Sequence, residues 1–89
     1  MCPSDIIEIK SGNGSGFGPS RKVFMAPKSY PCSIHVLNGG SKEPVEIQIS
    51  REGNSWTDYE EGQLIIGTEI SCRLRSNHEQ TIMIEVFHN

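Results

Sequence analysis

Apolar and polar residues alternate along much of the chain, with the two-residue period of a strand that buries one face. Val45-Glu46-Ile47-Gln48-Ile49-Ser50 sets Val45, Ile47 and Ile49 on one side and their polar neighbours on the other. Ile70-Ser71-Cys72-Arg73-Leu74-Arg75 repeats the pattern with Ile70, Cys72 and Leu74 inward. Thr81-Ile82-Met83-Ile84-Glu85-Val86-Phe87 turns Ile82, Ile84 and Val86 the same way. Ser33-Ile34-His35-Val36-Leu37 alternates too and stops at Asn38-Gly39-Gly40, a strong turn signal. Three shorter segments complete the set: Ile6-Ile7-Glu8-Ile9, Lys22 to Ala26, and Gln63 to Ile66 before Gly67. The second of these is expected to end at Pro27 and Pro31, since proline brings no N–H to a ladder. No stretch has a helical period.

About seven short strands between turn residues predict an all-β fold, an antiparallel β-sandwich of Ig-like or jelly-roll-like kind. Residues 1–89 form one domain of this type, with no internal repeat and no linker. The expected core is Ile47, Ile49, Ile70, Leu74, Ile82, Ile84 and Val86, with Asn77 to Gln80 as a hairpin loop.

Residues 1–20 stand apart from this frame. Gly12 to Gly18 holds four glycines, and fixing each costs roughly 1–2 kcal/mol of backbone entropy. Phe17 is its one large apolar residue, so the segment is expected to act as an arm that orders against a neighbouring chain. Phe17, Met25 and the outward Met83 and Phe87 are the expected partner contacts.

Composition narrows the function classes. A chain 35 % hydrophobic and 21 % charged is too apolar for disorder. A net charge of −3, with eight scattered Lys and Arg, lacks the basic stripe that neutralises phosphates, so no nucleic-acid partner is expected. No apolar run approaches the roughly 18 residues of a membrane span, and Met1-Cys2-Pro3-Ser4-Asp5 does not start a secretion signal. Three cysteines, Cys2, Cys32 and Cys72, cannot all pair internally. Cys32 and Cys72 fall at inward positions and are expected as free core thiols, an intersheet disulfide being the alternative.

Candidate chemistry is sparse. His35, His78 and His88 lack metal-ligand spacing, and Asp58, Glu60 and Glu61 lack that of a calcium loop. No serine sits in a G-x-S-x-G elbow, and Cys2 has no cationic neighbour to activate it. The glycine run has neither a following helix nor a Walker lysine-serine pair. The expectation is no catalytic residue, no metal and no cofactor. Trp56 with Tyr59 forms either an exposed stacking platform or a core anchor, and a core or core-rim position is preferred.

Ser50-Arg51-Glu52-Gly53-Asn54-Ser55-Trp56, a strand followed by a turn of the form S-x-[acid]-G-x-x-W, leads on to a later strand ending Cys72-Arg73-Leu74. Residues 45–75 thereby resemble small β-sandwich modules on the virions of tailed bacteriophages, which serve as capsid decoration (cement) proteins or as parts of fibres and tails. Glu52 stands where Asp is commoner, and Cys72 where an aromatic precedes the arginine. The resemblance implies a virion structural protein that bridges and stabilises capsid subunits. Its partners would be the major capsid protein or other virion subunits, on a lattice or as a homo-oligomer, with no nucleic acid and no membrane. It would be made in the host cytoplasm and located in the virion. In this reading Gly53 turns the chain, Trp56 seals an edge of the core, and Ile47, Ile49 and Ile84 fill it. Two alternatives stay open: a small phage-encoded inhibitor or adaptor on one host protein, and a carbohydrate-binding module using Trp56 and Tyr59.

Overall fold

Period-2 alternation becomes, in a computed structural model, a single antiparallel sheet. The structure describes residues 4–13, 16–37, 45–51 and 55–88, with the backbone alone at 26–30 and 88. The strands are β1 (Ser4–Lys10), β2 (Arg21–Val36), β3 (Glu46–Ser50), β4 (Thr57–Tyr59), β5 (Ile65–Arg75) and β6 (Thr81–His88). Their order across the sheet is β1-β6-β2-β5-β3-β4. The all-β, sandwich-like class expected from the sequence is what the chain adopts.

The strand boundaries differ from expectation in an instructive way. β2 runs for 16 residues through both prolines that were expected to end it. Its register against β5 slips between Met25 and Tyr30, and such an irregularity is where a sheet tolerates a missing donor. β5 likewise runs through Gly67, fusing two expected strands. A Cβ at Gly67 would lie 2.9 Å from Ile70 Cδ1, so the glycine makes room for a core side chain. β4 was not foreseen; three residues are too few to show a period. Two fusions and one addition turn seven strands into six.

β2 is also where the sheet divides. Cys32 to Val36 pair with β6, whereas Arg21 to Met25 and then Tyr30 to Cys32 pair with β5, Cys32 lying between both. One leaf is therefore β1–β6 with the end of β2, and the other is the start of β2 with β5–β3–β4. Where β5 leaves the second half of β2, the β4–β5 turn covers the exposed edge. Tyr59 Oη accepts the Ile34 N–H at 2.9 Å and donates to Gln63 O at 2.6 Å. Gly62, at φ +86°, donates its N–H to Ile34 O at 3.0 Å.

The inward faces form one core. All seven expected residues are buried, joined by Ile9, Val23, Phe24, Cys32, Ile34, Tyr59, Ile65 and Cys72. The end of β1 reaches across to β5: Gly12 N–H donates to Leu74 O at 3.0 Å and Ser76 N–H to Gly12 O at 3.2 Å. Below this contact the hydroxyls of Ser11 and Ser76, both almost fully buried, meet at 3.0 Å. Ser76 also donates to His78 O at 2.6 Å, so the pair holds the β5–β6 hairpin to β1 without leaving a polar atom orphaned. Cys32 and Cys72 are free and buried, as expected. Burial pushes the Cys32 thiol up and that of Cys72 up to about 12.

Candidate functional site

Two outer faces remain to carry function, and they are built differently. On β5–β3–β4 the outward residues are charged and bonded to one another. Arg73 lies between two rings, its guanidinium 4.4 Å from the Trp56 centroid and 4.9 Å from that of Phe17. It donates twice to Gln48 Oε1, at 2.9 and 2.6 Å, and Gln48 Nε2 donates to Asp58 Oδ1 at 3.1 Å. Arg75 sits 4.6 Å from the Phe17 centroid and pairs with the Glu46 carboxylate. A groove of about 450 Å³ opens here, lined among others by Phe17, Glu46, Gln48, Asp58 and Arg75. The polar side chains named there are already one another's partners.

Phe17 reaches this face from the glycine run, and the run is fastened to its own domain. Gly18 N–H donates to Leu74 O at 2.9 Å, beside the Gly12 contact already described. A Cβ at Gly12 would lie 2.0 Å from Gly16 O, and one at Gly18 2.3 Å from Lys10 O. The glycines permit a backbone approach that no other residue allows. Hydrogen bonds within the chain reach Gly12, Gly16 and Gly18 of the expected arm, and β1 pairs along its length with β6.

Trp56 sits at the rim and not in the core, within the core or core-rim position that was preferred. It is half-buried on the outside, with Arg73 over its ring, while Tyr59 is buried with its hydroxyl engaged. The two do not form a joint platform. Gly53 and Cys2 lie outside the described residues, as does the His88 side chain.

The outer face of β1–β6–β2 has the opposite character. Its rows follow from the register: Ile6 opposite Glu85 and then His35, Glu8 opposite Met83, Lys10 opposite Thr81, and Phe87 beside Ser33. Leu37 N–H donates to Met83 O at 2.8 Å, setting Leu37 next to Met83. Ile6, Leu37 and Met83 are 58, 42 and 41 % exposed, and Phe87 meets the His35 ring edge-on at 5.1 Å. Met83 and Phe87, two of the expected contacts, thus share one surface. Phe17 is on the other face, and the exposed Met25 stands opposite Glu69 beside the Lys22–Glu69 ion pair. Ile6 and Leu37 were missed, although the sequence held a signal for one of them. Two adjacent apolar residues in a strand, Ile6-Ile7, must send one outward.

Reactive groups do not converge. Among the described residues no three of His, Cys, Asp and Glu are grouped to hold a metal ion. Asp58 is taken by Gln48, and the Glu61 carboxylate accepts the Val36 N–H at 2.8 Å. With both core thiols shifted upward by burial, they stay protonated at neutral pH. No helix among the described residues is long and apolar enough to cross a membrane.

No protein-family model matches the chain, and no solved structure does. It is similar to metastasis-associated protein MTA1 of Homo sapiens, with 31 % identity over 64 residues, 72 % of this chain. MTA1 of Rattus norvegicus and of Mus musculus match to the same extent. The chain spans about 8 % of the length of these relatives.

Proposed function

We propose that the protein is a non-catalytic binding module, a structural component that docks on a larger protein assembly. The observation that supports this is the outer surface of β1–β6–β2, where Ile6, Leu37 and Met83 are exposed, Leu37 beside Met83 and Ile6 diagonal to it. An apolar patch left open on a small domain marks an interaction site more often than a catalytic one. In the specific form suggested by residues 45–75, the assembly is a phage capsid, and the module decorates and bridges its subunits. Many copies on a lattice would make a modest contact sufficient. The MTA1 relatives named above are animal proteins and lend the capsid form no support.

One observation favours a second form. The glycine run is fastened to its own domain, so the module has less need of a lattice neighbour and suits a one-to-one adaptor or inhibitor on a single host protein. Quantitative mass spectrometry of purified particles separates the two. Copy numbers matching the capsid subunits are expected for decoration. Absence from particles, with a one-to-one complex recovered from the host, would select the adaptor. Turnover of a substrate by the purified chain would sink both.

A further inference from the structure

We infer that the β1–β6–β2 face docks a protein segment whose apolar side chains are flanked by Lys or Arg. The inference rests on the binding-module reading and names the occupant. Around Ile6, Leu37 and Met83 stand three carboxylates, Glu8 and Glu85 within the face and Glu61 at the end of β2. Among the described outward residues of this face the one ammonium, Lys10, lies 3.5 Å from the Glu79 carboxylate. Ser4 Oγ and the Val36 N–H, both neutral donors, bond to Glu85 and Glu61. Among the described residues no cation pairs with Glu8, Glu61 or Glu85.

This charge pattern selects among occupants. A second copy applied face to face would bring carboxylates against carboxylates, which is repulsive. Nucleic acid would meet the wrong sign. Addition of a partner strand to the edge of β1 is obstructed as well. Ser11 N–H bonds to Gln80 on the β6 side, so the even-numbered backbone groups of β1 turn to the open edge. There Gly12 is already bonded to β5, and Arg21 Nη1 donates to Glu8 O at 2.6 Å. An edge blunted in this way leaves the side-chain face as the docking surface. Its complement is a basic, apolar segment.

The test is selection of a random displayed peptide library against the full chain. Expected winners carry Lys or Arg on both sides of branched or aromatic residues, and they move the amide resonances of Ile6, Met83 and Leu37. Their affinity should fall about tenfold or more in Glu8→Lys/Glu85→Lys and in Ile6→Ser/Met83→Ser. Ile6, Met83 and Glu8 are exposed and Glu85 is half-buried, so unchanged melting is the check that both variants fold. Acidic winners, or affinity indifferent to both variants, would overturn the inference. So would concentration-dependent dimerisation abolished by Met83→Ser. Resonance shifts on Gln48, Arg73 and Arg75 would overturn this face while leaving the binding-module reading intact. A selection that enriches nothing overturns the docking inference, and the particle and host-complex measurements then decide the module reading by themselves.

Discussion

The two outer faces of one sheet divide its labour. Behind both lies the same dry core, yet one face is knitted and the other bare. On β5–β3–β4, Arg73, Arg75, Glu46, Gln48 and Asp58 answer one another, and Phe17 and Trp56 lie over the guanidinium groups. On β1–β6–β2, apolar side chains face solvent, and among the described residues Glu8, Glu61 and Glu85 have no cation paired with them. A polar network that closes on itself adds local stability and specificity but has little left to offer a partner. A bare face contributes little to folding and keeps its binding capacity.

The largest test strikes the core common to both. Ile84 sits in β6 behind the bare face, fully buried and opposite Ile7 and Val36. Ile84→Ala should cost about 2–5 kcal/mol through lost burial and a residual cavity, most of the stability a domain of this size has. Leu74→Ala, behind the knitted face, should cost as much, and denaturant melts of both should stay single transitions. A loss below about 1 kcal/mol for Ile84 alone would mean that the bare leaf is only loosely packed, and the comparison would have to be redrawn.

Next comes pH. Below the ordinary thiol value of 9.0, Cys72 is protonated folded and unfolded alike. Above it the unfolded thiol ionises while burial, opposed only by the Arg21 charge, keeps the folded one protonated up to about 12. Unfolding then releases a proton, so stability falls as pH rises through this window. The slope is about 1.4 kcal/mol per pH unit, or roughly 3 kcal/mol by pH 11. Cys72→Ala should remove this part of the slope and leave that of Cys32. An identical alkaline slope in the variant would contradict the burial assigned to Cys72.

Gly12→Ala probes the knitted face through the loop that delivers Phe17. Its Cβ would meet Gly16 O at 2.0 Å and the Phe17 carbonyl carbon at 2.6 Å, so the loop must move, and Phe17 is expected to leave Arg73 and Arg75. A cost of about 1–3 kcal/mol is expected, with loss of hydrogen-exchange protection at Gly18. Retained protection would show that the loop adapts without releasing its ring.

The knitted face was largely illegible in the sequence, and the reason is physical. The inward residues announce themselves by alternation, which is why Ile47, Ile49, Ile82, Ile84 and Val86 could be named at once. Arg73 and Arg75 look like ordinary solvated positions, and nothing in their spacing says that Phe17, more than fifty residues away, will cover them. Pro27 and Pro31 misled for a related reason: a bulge in β2 depends on its register with β5, and register is a property of the pair. The bare face was half legible. Met83 and Phe87 follow from the phase of β6; Leu37 lies just past the end of β2, and at Ile6-Ile7 two adjacent apolar residues hide which one turns outward.

The smallest expected effect is the most telling. Ile6→Ser and Met83→Ser each remove apolar side chains that already face water, so the folded state loses little contact that the unfolded state lacked. Exposed substitutions away from caps, turns and buried groups usually stay within about 0.5 kcal/mol of neutral. The same should hold for the pair, since both positions are exposed diagonal neighbours on one face and neither side chain is buried by the other. Trp56→Ala on the knitted face should cost more, because it uncovers the Arg73 guanidinium and removes a cation–π contact worth about 0.5–1 kcal/mol at a surface site. Equilibrium urea unfolding of the three proteins measures the contrast. If Ile6→Ser/Met83→Ser proved the more destabilising, the bare face would be structural after all, its apolar residues serving the fold by packing along the strands. If it is silent in stability while peptide binding falls, those side chains are held outward at no structural gain, and binding is what remains to explain them.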